Sequence, residues 1–155
     1  RQIPALLGSL PRALQSEVES RVVSLFKKAV TGGDLGPGDR WLITSLQVFA
    51  PRNIGTPLAR ALRHANKHQE SLCPSVRNRL LRTIGETLPP QALPALAETV
   101  CEGDNPTHAR MALRCIVRIT EERKRSTVVK QLTCVPTHHR QMLREALDLD
   151  DLMAA

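Results

Sequence analysis

Aromatic residues are nearly absent from this chain. It has one tryptophan, two phenylalanines and no tyrosine in 155 residues. That scarcity argues against reading nucleic-acid bases by stacking, which needs aromatic platforms. No apolar run reaches the roughly 20 residues that a membrane-spanning helix needs, and no stretch reads as a signal peptide. No segment alternates with period two, so no sheet is expected. The motifs that announce chemistry are missing as well: there is no Gly-x-Ser-x-Gly, no His-Glu-x-x-His and no phosphate-binding glycine loop. The glycines between Thr31 and Gly38 precede no Lys-Ser/Thr pair. A non-enzymatic chain without a cofactor is the expectation. The four cysteines, Cys73, Cys101, Cys115 and Cys134, lack close metal-ligand spacing. They are expected to be free thiols in a reducing compartment, cytoplasmic or nuclear. The chain starts at Arg1 rather than Met, so an excerpt or a processed form is expected.

What is present is helical patterning. Residues 12–31 carry Leu14, Val18, Val22, Leu25, Phe26 and Val30 at helical spacing. Residues 39–49 do the same with Trp41, Leu42, Leu46 and Phe49, and core packing is the expected role of Trp41; an anchor for a partner is the alternative. Thr56-Pro57 reads as a cap followed by a first-turn proline, opening a helix to about Gln69. Pro74 opens another, with Leu80, Leu81 and Ile84 inward. Leu93, Leu96, Ala97 and Val100 mark a further helix, broken by Gly103-Asp104. Asn105 can cap the next, and Pro106 fits the first helical position, where no donor is needed. That helix places Ala109, Ala112, Leu113, Ile116 and Ile119 inward. After Thr120 a charged turn leads to a short helix with Val128, Val129 and Leu132. Pro136-Thr137 begins the last helix, with Met142, Leu143, Ala146 and Leu147.

Three helix starts repeat. Pro74, Pro106 and Pro136 recur at nearly equal intervals. Seven positions beyond each comes Leu81, Leu113 or Leu143. Ten beyond comes Ile84, Ile116 or Ala146, and both columns should face the core. Eight beyond comes Arg82, Arg114 or Arg144; four beyond comes Asn78, Arg110 or Arg140. Positions four and eight lie about 40° apart on a helix, so the arginines should line one exposed flank of three helices. Self-similarity at this period signals stacked helix pairs, none of which buries its apolar face alone.

Residues 89–121 resemble a HEAT/armadillo-type repeat. The resemblance lies in the Leu/Ala-rich first helix, the turn Gly103-Asp104-Asn105-Pro106, and the Ala-Arg-x-Ala-Leu-x-x-Ile pattern of residues 109–116. It implies an all-α fold, a right-handed superhelical solenoid of about four antiparallel helix pairs, at 12–51, 54–88, 89–121 and 122–149. In that family the second helices line a concave surface that commonly binds other proteins. The resemblance thus implies a groove carrying Arg110, Arg114, Arg140 and Arg144. The first pair departs from the pattern, lacking the arginine columns, and a capping role is one reading of it.

Charge agrees with a binding surface. The net charge is +7, and residues 105–144 hold nine bases against Glu121 and Glu122, so this segment carries the whole excess. A solvated face with local ion pairs and a partner-binding surface of Arg82, Arg110, Arg114, Arg118, Arg140 and Arg144 are the competing readings. The partner of the second reading is a protein with an acidic or amphipathic segment. The alternative is non-specific nucleic-acid binding through phosphates. Ser126 follows the basic run Arg123-Lys124-Arg125, which reads as an exposed turn, a phosphorylation site or a nuclear-import signal. The acidic residues Asp148, Asp150 and Asp151 are candidates for masking the arginines. His64 and His68, at i and i+4, and His108, His138 and His139 are expected in surface or capping roles, for want of a third metal ligand. A cluster of Cys101, Cys115 and His108 is conceivable.

Overall fold

The computed structural model describes residues 11–32, 40–49, 54–68 and 74–147, and these form helices with no strand among them. The α-helices are α1 (Arg12–Gly32), α2 (Arg40–Phe49), α3 (Gly55–Lys67), α4 (Pro74–Thr87), α5 (Leu93–Glu102), α6 (Pro106–Glu122), α7 (Arg125–Leu132) and α8 (Thr137–Leu147). A 3₁₀ turn, Pro90–Ala92, precedes α5. None is long and apolar enough to cross a membrane. The acidic stretch around Asp148, Asp150 and Asp151, the glycine-rich residues 33–39 and Cys73 lie outside the described residues.

Successive helices pack as pairs three times over: α1 with α2, α3 with α4, α5 with α6. The first members also pack in succession, α1 on α3 and α3 on α5, and so do the second members, α2 on α4 and α4 on α6. The shared core between the two rows holds Phe26, Leu46, Leu62, Leu80, Leu96 and Ile116. The fourth pair breaks the order. Helix α7 packs on α5 and α6, while the main contact of α8 is α5, a first-row helix.

The Asn105–Pro106 start behaves as expected. The Asn105 side chain accepts from the N–H groups of Thr107 and His108, and Pro106 opens the helix. The Thr56–Pro57 start does not. Helix α3 begins at Gly55, with Ile54 before it and no side-chain cap. Close packing explains the difference: a Cβ on Gly55 would come within 2.7 Å of Gln91 Oε1 and 3.0 Å of Pro89 Cβ. The helix start is fixed by its approach to the 89–91 segment rather than by a hydroxyl.

Several inward assignments change. Trp41 is 39% exposed, because α2 turns Leu42, Ile43 and Leu46 inward and leaves Trp41 about 100° off the face. On α1 the row Val18, Val22, Phe26 and Val30 is the packed one, and Leu14 and Leu25 are exposed. Met142 and Ala146 on α8 are exposed too. Helix α6 runs past Thr120, the expected end, to Glu122.

The burial register of α8 explains its outliers. Buried residues Val76, Leu80 and Ile84 on α4 correspond to His108, Ala112 and Ile116 on α6, in the same register that aligns Pro74 with Pro106. Aligning Pro106 with Pro136 would pair His108 with His138 and Ala112 with Met142, but the buried residues of α8 are the next ones along, His139 and Leu143. The proline alignment is therefore out by one position on the last helix. One position is about 100° of rotation, so Arg140 and Arg144 leave the arginine column of α4 and α6.

Candidate interaction surface

On α6 the arginines form an exposed row. Arg110, Arg114 and Arg118, one helical turn apart, all face out, and Arg82 is exposed on the neighbouring α4. Arg118 has a structural duty besides. Its guanidinium donates to the Gly85 carbonyl at 2.6 Å and lies 3.8 Å from Glu122. Arg123 does more of the same kind, donating through Nε to Leu88 O at 2.8 Å and through its terminal amine to Thr87 O at 2.9 Å. These two residues of α6 and its end satisfy the carbonyls left open where α4 stops. That end is strained, since Leu88 adopts φ 50°, a left-handed conformation that costs a Leu side chain roughly 1 kcal/mol. Its side chain is nonetheless buried.

Arg140 and Arg144 belong to a separate place. With Thr137 and Gln141 they line a shallow recess of about 340 Å³ on α8. Arg140 is half-buried, its terminal amine donating to Thr137 Oγ1 at 3.3 Å, and its Nε is buried without a hydrogen-bond partner. The expected flank across three helices is thus divided into an Arg82–Arg110–Arg114–Arg118 surface and an Arg140–Arg144 recess. Ser126 is exposed, but it sits in the first turn of α7 rather than in a turn between helices. Only Arg123 and Lys124 of the basic run lie in the turn, and Arg123 is engaged at the end of α4.

The described thiols Cys101, Cys115 and Cys134 are free, as expected, but two of the histidines depart from a surface role. His108 and His139 are both buried, at 4% exposure each. Burial, with Arg77 nearby, pushes the His108 imidazole below its ordinary value, favouring the neutral ring. Cys101, Cys115 and His108 do not converge. The Cys115 thiol donates to Leu81 O at 3.5 Å, while Cys101 points its thiol at His139 O, 3.9 Å away. Burial raises the Cys101 thiol, Glu102 adding to the effect, and pushes that of Cys115 up to about 11. His64 and His68 lie with ring centroids 4.5 Å apart. Among the described residues, the three-residue group with converging ligand atoms is Glu102, His138 and His139. Sequence reasoning missed it because Glu102 stands far back in the chain, on another helix, and only the α5–α8 contact joins it to the histidines.

Comparison with family models, with curated proteins and with solved structures finds no match to this chain.

Proposed function

We propose that the chain is a non-enzymatic protein-interaction scaffold of the HEAT/armadillo type, a solenoid binding an acidic or amphipathic segment of another protein. The observation that carries this reading is the row Arg110, Arg114 and Arg118 on α6 beside Arg82 on α4, all exposed. The two successively packed helix rows support the solenoid part. Arginine suits such a surface, since its planar fork pairs with carboxylates in two-pronged fashion. Charge complementarity would supply orientation and association rate, and apolar anchors most of the affinity. Trp41, exposed on α2 in the same helix row, offers one such anchor. Arg118 contributes less than Arg110 and Arg114, being committed to Gly85 and Glu122.

The test is capture of partners from lysate by the wild-type chain and by an Arg82→Glu/Arg110→Glu/Arg114→Glu variant, with and without nuclease. A protein lost on charge reversal but kept after nuclease supports the scaffold. Loss on nuclease treatment alone moves the reading to phosphate-backbone binding, which should weaken steeply with salt. Equal capture in all arms returns these arginines to a solvated face.

A further inference from the structure

The geometry points to a divalent transition-metal site, best suited to zinc, formed by Glu102, His138 and His139 and clamping α8 onto α5. Glu102 is the last residue of α5, and the two histidines lie in the first turn of α8. Their ligand atoms all lie within 4.8 Å of one another. His139 Nε2 and Glu102 Oε1 are 3.2 Å apart. Two donors on a tetrahedral zinc, each at about 2.05 Å, stand roughly 3.3 Å apart, so this edge of the polyhedron is already at coordination spacing. The third donor, within 4.8 Å of the other two, needs to move inward by no more than about 1.5 Å to complete a face. His138 and Glu102 are exposed and free to turn that far, whereas His139 is held by burial.

Two features are unexpected in a plain hydrogen-bonded joint. Successive side chains on a helix diverge by about 100°, yet the His138 and His139 rings gather with centroids 4.2 Å apart. His139, only 4% exposed, also keeps its Nδ1 buried and without a hydrogen-bond partner. An imidazole taken out of water with one nitrogen unsatisfied is costly. An ion on Nε2 would fix the proton on Nδ1 and leave that nitrogen unsatisfied, so the offset would come only from the ligand bonds of Nε2 and Glu102. Two imidazoles and one carboxylate form a donor set typical of zinc and its neighbours, with water at the fourth position. The consequence is architectural: α8 makes its main contact through α5, and the ion would fasten the last helix at that contact.

The experiment uses the tag-free chain, stripped with chelator and dialysed. Zinc binding is followed by calorimetry, cobalt binding by its visible absorption, and thermal unfolding is measured with and without zinc. Wild type is compared with Glu102→Gln, which keeps a hydrogen-bonding group for His139, with His138→Ala, an exposed position, and with the control His64→Ala/His68→Ala. Helicity by circular dichroism verifies that each is folded. One ion per chain is expected in wild type and control, with a raised unfolding temperature. Affinity should fall at least about tenfold in Glu102→Gln and in His138→Ala. No binding by the wild type, unchanged binding in both single variants, or loss confined to the His64→Ala/His68→Ala control would each overturn the site.

Discussion

Arg77 of α4 donates a 2.8 Å hydrogen bond to the side-chain carbonyl of Asn66 on α3, and both side chains are buried. The amide nitrogen of Asn66 is shared in turn with α5, reaching Ala95 O at 3.3 Å, Glu98 Oε1 at 3.1 Å and Thr99 Oγ1 at 3.1 Å. One asparagine thus ties three helices, and one buried guanidinium holds that asparagine. Burial pulls the Arg77 guanidinium below its ordinary value, while Asp104 and Glu98 oppose that shift. Asn66→Ala would leave Arg77 without this acceptor in the interior. It should cost about 2–4 kcal/mol of unfolding free energy, because a buried charge losing its partner is penalised more than a neutral group. Urea unfolding of Asn66→Ala, Arg77→Met and the double variant measures the coupling. Additive effects of the two substitutions would show that the bond carries no energy of its own.

The junction of α4 and α6 yields a second expectation. Arg123 spans the Thr87 and Leu88 carbonyls with two different nitrogens. An ammonium on a flexible stem cannot reproduce that fork. Arg123→Ala and Arg123→Lys should therefore both lose about 1 kcal/mol, with little rescue by lysine. Thermal unfolding compares them, and full stability in Arg123→Lys would reduce the contact to simple charge at a helix end.

His108 gives the chain a pH-dependent stability. Its folded pKa lies below the unfolded value, so the unfolded chain takes up a proton first as pH falls. The stabilisation is complete above about pH 6.5, the unfolded value, and drains away as pH drops toward the lower folded value. Unfolding free energies measured from pH 7.5 to 5 should fall more steeply for wild type than for His108→Gln. Parallel slopes would show that the ring is not held neutral by Arg77 and burial.

How much of this was legible beforehand depended on whether the signal was local. Asn105–Pro106, the interruption at Gly103–Asp104, the row Leu80, Leu81 and Ile84 of α4 and the residues Ala112, Ile116 and Ile119 of α6 are local, and each reappears in the folded chain. The exposure of Arg82, Arg110 and Arg114 was also readable, because a helix's inner row fixes its outer one. Three things needed the third dimension. Trp41 reads as core by hydrophobicity alone, but the neighbours of α2 select Leu42, Ile43 and Leu46. The last helix repeats its proline at one spacing and its buried face at another, and only packing on α5 decides between them. Glu102 looks like any exposed helix-end acid until α8 brings His138 and His139 beside it.

The thiols offer a readout of the same packing. Cys134 is exposed, Cys101 half-buried and Cys115 buried. The reactive species is the thiolate, so burial slows reaction twice, by blocking access and by raising the pKa. At neutral pH only about 1 in 10⁴ Cys115 thiols would be ionised at a pKa near 11. In a Cys73→Ser background, a thiol reagent in excess should label Cys134 in a fast phase and Cys101 in a slower one. Cys115 should be labelled only at the rate at which the α4–α6 contact opens, since its sulfur rests against the Leu81 carbonyl. Denaturant should bring all three to one rate. Gly85 adds an internal check, since a Cβ there would lie 3.4 Å from the Cys115 sulfur. Gly85→Ala should loosen or tighten this contact and change the Cys115 rate alone, leaving Cys134 as it was. Fast labelling of Cys115 in the native wild-type chain would mean that α6 does not stay packed on α4, and the arginine row that α6 carries would then have no fixed neighbour in Arg82.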